Sequence, residues 1–128
     1  MTRYLTKADV RVIIEATLPS YVTVRDIGQL HAALLRPQTT AFGDDAYPDV
    51  WQKAAALMQS VLIGHPLSDG NKRLAWISAK LFLRLNGQKV GRPDQNAAYD
   101  LVIAVTTGDL ADVPEIADRL RELMPPVE

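Results

Sequence analysis

His65-Pro66-Leu67-Ser68-Asp69-Gly70-Asn71-Lys72-Arg73 is the stretch on which the reading of this chain turns. It gathers an imidazole, a carboxylate, a glycine, an amide and two cations. Leu74, Ala75, Ile77, Ser78, Leu81, Phe82 and Leu85 follow at helical spacing. The polar cluster is therefore a loop that ends at a helix N-terminus. Such an end offers free backbone N–H groups and about half a unit of positive charge, which suits a phosphate. Lys72 and Arg73 fall in the first turn, where cations oppose the helix dipole, so helix stability does not account for them. Singly, these residues have plain structural readings: a loop histidine, a solvated Lys-Arg pair, a Gly-Asn turn. Their concentration in one loop points to an anion or nucleotide site.

Outward from this loop the chain reads as helices. Thr6, with Asp9 three residues on, predicts a capping box for a first helix bearing Val10, Ile13, Ile14 and Leu18, stopped by Pro19. Val22, Thr23 and Val24 predict an extended connector over 20–25. Asp26 caps a short second helix with Ile27, Leu30, Ala33 and Leu34 as its buried stripe, ended by Pro37. Residues 37–48 are the longest irregular stretch, rich in turn formers. Phe42 and Tyr47 lie within it and read as anchors pinning the loop to the core, or as part of a surface that docks a substrate. Asp49 caps a third helix with Val50, Ala54, Leu57, Met58, Val61 and Leu62 inward, where Ala54-Ala55-Ala56 permits close helix approach. Gly64 and Pro66 break it. The helix after the loop runs to Asn86, with Gly87 as a left-handed cap, and its few polar residues predict the most buried helix. Asp94 caps a helix with Ala98, Leu101, Val102 and Val105, ended by Thr106-Thr107-Gly108. Asp112 starts the last, with Pro114 in its first turn and Val113, Ile116, Leu120 and Leu123 inward; Pro125-Pro126 closes the chain. The expectation is one all-α domain over 1–128: a compact bundle of about six helices without a strand pair, its catalytic loop between two core helices.

Composition sets the outer bounds. At 128 residues, 48% hydrophobic and 23% charged, the chain suits one globular core. A formal net charge of −1 gives no bulk attraction to nucleic acid or to anionic lipid, so a positive site must be local. Without cysteine there is neither a disulfide framework nor thiolate chemistry. The first residues carry no signal-peptide pattern, and no uncharged apolar run reaches the roughly 20 residues a bilayer needs, so a cytoplasmic protein is expected.

If the loop holds a nucleoside triphosphate, roles follow from residue chemistry. Phosphoryl transfer asks mainly for positioning and charge stabilisation. An imidazole takes up a proton at neutral pH, which makes His65 the base. Asp69 is the loop's only carboxylate, and Mg²⁺ favours one or two carboxylates plus phosphate oxygens. Gly70 lets backbone approach a phosphate, Asn71 offers an amide, and Lys72 and Arg73 neutralise charge. Neither the Gly-x4-Gly-Lys-Ser/Thr nor the Gly-x-Gly-x-x-Gly loop is present. His31, the other histidine, has no partner at metal-ligand spacing.

These nine residues resemble the signature of the Fic/Doc family, in the Doc-type variant where Lys follows Asn. The resemblance extends to Val24-Arg25-Asp26, Ala32-Ala33-Leu34, Arg36-Pro37, Phe42-Gly43, Tyr47-Pro48, Lys53-Ala54-Ala55-Ala56-Leu57 and Leu81-Phe82-Leu83-Arg84-Leu85-Asn86-Gly87. Leu67 departs from it, standing where the family usually has Phe. So does Ile77, where a polar residue can occur. The inhibitory Ser/Thr-x-x-x-Glu-Gly/Asn segment of many Fic proteins is missing. The resemblance implies a toxin of a Phd–Doc toxin–antitoxin pair, restrained by a separate Phd-type antitoxin. It implies ATP as substrate with Mg²⁺, His65 as base, Asp69 as metal ligand, and Gly70, Asn71, Lys72 and Arg73 on the phosphates. Most Fic proteins carry Gly at the position of Lys72 and transfer AMP. The resemblance to the Doc branch implies that a lysine there would crowd the usual phosphate pocket and turn the nucleotide round, so that its γ-phosphate meets the hydroxyl. The implied reaction is phosphorylation of a threonine of elongation factor Tu, which stops translation. AMP transfer and an inactive, partner-binding Fic-like module are the alternatives. A DNA-binding role is disfavoured by the neutral charge and the lack of a basic recognition helix.

Overall fold

Five of six helices begin on the side chain the sequence marks as a cap. The computed structural model describes residues 1–124; the Pro125-Pro126 ending lies outside the described residues. Thr6 and Asp9 form the capping box of α1 (Lys7–Thr17). Asp26 accepts from the Gln29 N–H at the start of α2 (Ile27–Leu35), and Asp49 from the Gln52 N–H at the start of α3 (Val50–Gly64). Asp94 and Asp112 do the same for α5 (Gln95–Thr107) and α6 (Val113–Leu123). The exception is α4 (Asn71–Leu85): its cap is Gly70, and no side chain satisfies the amides at its start. Those N–H groups are left for something else.

The centre of the bundle is α3, packed against α2, α4, α5 and α6. This corrects the expectation that the helix after the loop is the most buried: nine residues of α3 are buried against seven of α4. The run Ala54-Ala55-Ala56 is fully buried, because methyl side chains let neighbours close in on every side. Leu57, Met58, Leu74, Phe82, Ile116 and Leu120 fill the space between. In α2 the stripe is Leu30, Ala33 and Leu34, while Ile27 is exposed. Pro37 does not simply end α2; the chain tightens into a 3-10 turn over Arg36–Gln38.

Two further expectations change. The chain does contain a strand pair: β1 (Thr40–Ala41) and β2 (Asp44–Asp45) form a minimal antiparallel hairpin in the 37–48 stretch. Its turn is Phe42-Gly43, with φ of +54° and +84°, a pair of left-handed residues that matches the strand twist. Phe42 is therefore fully exposed at the tip and pins nothing. Tyr47 is the anchor: its hydroxyl accepts from Arg36 Nε at 3.0 Å, and the Arg36 guanidinium lies 5.4 Å from its ring centroid. Lys53, 2% exposed, reaches from α3 to the Asp45 carboxylate at 3.2 Å and to the Tyr47 carbonyl. A buried ammonium thus clamps the hairpin's return strand.

Candidate active site

The loop from His65 to Gly70 is strapped to the connector between α1 and α2. Val24 and Leu67 form an isolated antiparallel bridge. The Ser68 N–H donates to the Thr23 carbonyl at 2.9 Å, and the Thr23 N–H to Ser68 Oγ at 3.0 Å. The N–H groups of Arg25 and Asp26 both donate to the Pro66 carbonyl, at 2.8 and 3.0 Å. The β-branched run Val22–Val24 supplies that extended edge. Leu67 is fully buried and acts as the apolar plug of the loop, so the exchange of Phe for Leu leaves its anchoring intact.

His65 ends α3 in the left-handed conformation, φ +53° and ψ +54°. The sequence reads Gly64 as a breaker of α3, but Gly64 stays helical as its last residue. A Cβ there would stand 2.9 Å from Gln29 Oε1 of α2. The strain of about 1–2 kcal/mol falls on the histidine instead. Arg25 Nη2 donates to the His65 carbonyl at 3.1 Å, holding the strained peptide while the imidazole stays exposed to solvent.

Asp69 is exposed and held at both oxygens. Oδ1 accepts from the Gly70 N–H at 2.8 Å, and Oδ2 from the Tyr21 hydroxyl at 3.1 Å. That hydrogen bond and the carboxylate charge raise the Tyr21 phenol above its ordinary pKa. Gly70 is required twice over: its φ is +80°, and a Cβ would meet Leu18 Cδ2 at 2.8 Å. The amide of Asn71 is 4% exposed and turned inward, onto the backbone of Leu67. What Asn71 presents outward is the uncapped helix start.

Asp69, Gly70, Lys72 and Arg73 line one cleft of about 900 Å³ together with Trp76, Lys80, Arg92, Pro93 and Tyr99. Against one carboxylate stand four cations. Arg73 Nη1 donates to the Thr17 carbonyl at the end of α1, at 3.2 Å. Lys80 has its pKa lowered, first by burial and then by Arg84 and Arg92 nearby, so the cleft carries unneutralised positive charge. Such a cleft takes a polyanion. His65 does not line it. The residue before it, Gly64, borders a second hollow of about 820 Å³, shared with Arg36, Tyr47, Gln59 and Ile63. Along the chain, His65 therefore falls between a residue of each hollow, Gly64 and Asp69. Sequence reading did not select Tyr21, Trp76, Lys80, Arg92 or Tyr99. Trp76 and Lys80 had a visible signal, lying one and two turns beyond Lys72 on the same helix; the others had none.

Asp69 fits Mg²⁺: a lone exposed carboxylate, oriented by two donors, beside a site for phosphate oxygens. Among the described residues no group of three or more His, Cys, Asp or Glu comes together, so protein groups and phosphate would share the ion.

Comparison with known proteins agrees with this geometry. The model of the Fic/DOC family matches residues 4–83, from just before α1 to near the end of α4, with the whole loop inside. Toxin Doc of Mycolicibacterium smegmatis is 46% identical over 121 residues, 94% of this chain and 92% of that one. Protein kinase doc of Escherichia phage P1 is 35% identical over 98 residues, 77% of this chain and 75% of that one. A motif loop feeding an uncapped helix, inside a matched segment and a near full-length alignment, makes the chain a member of the Fic/Doc family, of the Doc toxin type.

Proposed function

We propose that this chain is the toxin of a type II toxin–antitoxin system and acts as a protein kinase, moving the γ-phosphate of ATP to a threonine hydroxyl of elongation factor Tu and so stopping translation. The observation that carries the reading is α4's start: no side chain caps it, and Lys72 and Arg73 flank it in a cationic cleft. The name of the phage P1 relative, a protein kinase, supports the γ-phosphate over AMP.

In this reading His65 takes the proton of the incoming hydroxyl as its oxygen bonds to the γ-phosphorus. The bond from that phosphorus to the bridging oxygen breaks, and ADP leaves. Lys72, Arg73 and the backbone N–H groups at Asn71 and Lys72 hold charge on the phosphate oxygens. Asp69 would hold Mg²⁺, which supplies further charge neutralisation to the phosphates when bound. The hairpin over 40–45, with Phe42 exposed at its tip, would be the surface offered to the protein substrate. A Phd-type antitoxin is the implied partner, the setting is the cytoplasm, and no nucleic acid takes part. Among the described residues no helix is long and apolar enough to cross a membrane.

The test is the position of the label. With elongation factor Tu, Mg²⁺ and ATP labelled at the α- or the γ-phosphate, γ label on the target supports the kinase. Label from the α position would mean AMP transfer in the same cleft. Growth arrest on expression should vanish in Asp69→Ala; arrest that persists would favour a module acting by binding alone.

A further inference from the structure

We propose that the indole of Trp76 is the stacking surface for the nucleotide's base. The triphosphate then lies over Asp69–Arg73, and the base points along α4 toward α5. This deepens the nucleotide reading above and rests on it.

Three observations converge. Trp76 follows Lys72 by four residues and Arg73 by three, so on the helix surface it neighbours each of them, with Cβ atoms about 5–6 Å apart. All three line the same cleft. A base one helical turn from the phosphate cations is within reach of a bound nucleotide.

The ring packs in part against the core but has no aromatic or cationic partner among the described residues. Among the described residues the aromatic pair is Tyr4–Phe82, and the cation–ring contacts are Arg36–Tyr47 and Arg121–Trp51. Trp76 is half-buried with no ring or guanidinium on its face, while the other tryptophan, Trp51, is buried. The cleft is also lined by Pro93, Ala98, Val102 and an exposed Tyr99, beside Arg92 and Gln95. A volume of about 900 Å³ is within the ordinary range of small-ligand pockets.

The polarity of the cleft fixes the direction. Asp69 and Gly70 precede α4 on the side of His65 in the chain, and Trp76 lies one turn into the helix beyond Lys72. A nucleotide with its base on Trp76 and its tail over Asp69–Arg73 therefore has its terminal phosphate on the loop side of the cleft.

The test compares ATP with inorganic tripolyphosphate, which carries the tail without the base, by calorimetry and tryptophan emission on the full chain. Stacking on one aromatic predicts that ATP binds on the order of tenfold more tightly and alone quenches the emission. Trp76→Leu should remove the preference and leave tripolyphosphate binding as it was. Trp76→Phe, which keeps a ring and guards against a folding defect, should retain most of it. Equal binding of the two ligands by the unaltered chain, or a preference that survives Trp76→Leu, overturns the base site and leaves the anion site standing. Failure of both ligands to bind overturns the nucleotide reading itself.

Discussion

Asn71 and Leu67 hold each other in both directions: the Leu67 N–H donates to Asn71 Oδ1 at 2.9 Å, and Asn71 Nδ2 donates to the Leu67 carbonyl at 3.1 Å. The first residue of α4 thereby closes the loop that precedes it. The amide reads as a phosphate donor in the sequence, yet its side chain is committed to shaping the loop. Its contribution to an anion comes through the helix start it fixes in place.

Asn71→Ala strips both partners from a buried backbone N–H and C=O. Each buried polar group left unpaired costs about 1–3 kcal/mol, so a loss of about 2–4 kcal/mol in unfolding free energy is expected. Urea denaturation measures it. A loss below about 1 kcal/mol would mean that the loop holds its shape without the amide.

Tyr21 offers a gentler perturbation of the same site. Its ring is exposed, so Tyr21→Phe should change stability by under about 0.5 kcal/mol. It removes the donor on Asp69 Oδ2, and the Mg²⁺ concentration for half-maximal transfer should rise several-fold, since partners of a ligand typically carry about 10-fold or more in metal affinity. Asp69→Asn should abolish transfer. An unchanged Mg²⁺ requirement in Tyr21→Phe would remove the phenol from the positioning of Asp69.

Lys53 reaches the hairpin from the middle of the bundle. Lys53→Met keeps the aliphatic volume and deletes the ammonium that holds Asp45 and the Tyr47 carbonyl. The hairpin should loosen while the helices stay packed. Chymotrypsin cleavage after Phe42 is expected to accelerate several-fold with little change in far-ultraviolet circular dichroism. Cleavage at the original rate would show that Arg36 alone secures Tyr47.

Lys80 should trade stability for binding. Burial and two neighbouring arginines lower its pKa, so its charged form is disfavoured in the folded chain. The penalty is fully present at neutral pH and is relieved as pH rises through the lowered pKa, where the folded chain releases the proton before the unfolded one. Lys80→Met should therefore stabilise the chain, by under about 1 kcal/mol once solvent screening is allowed for, with a gain that shrinks toward alkaline pH. ATP affinity should fall at the same time. Melting curves across pH and a parallel calorimetric titration check both arms.

His65→Ala tests the base. Removing a general base costs about 10²–10⁴-fold in rate, and the exposed side chain can go without loss of packing. Alanine still carries a Cβ in the left-handed region, so the backbone strain remains and stability should hardly move. Full activity in a folded His65→Ala variant would remove the imidazole from the chemistry.

What the residues could announce, they announced locally. Helix starts were legible because Thr6, Asp26, Asp49, Asp94 and Asp112 act on amides three positions away, and Gly87 and Gly108 mark ends by their backbone freedom. The motif loop was legible for the same reason: His65, Asp69, Gly70, Lys72 and Arg73 are neighbours in the chain before they are neighbours in space. Tertiary structure alone decided that α3 lies at the centre, that Asn71 faces inward, that left-handed strain falls on His65 rather than Gly64, and that Tyr21 and Arg92 join the loop from distant segments. Those outcomes depend on which surfaces meet once the helices pack. Packing is a property of all the side chains at once, whereas a cap or a turn needs only a few in a row.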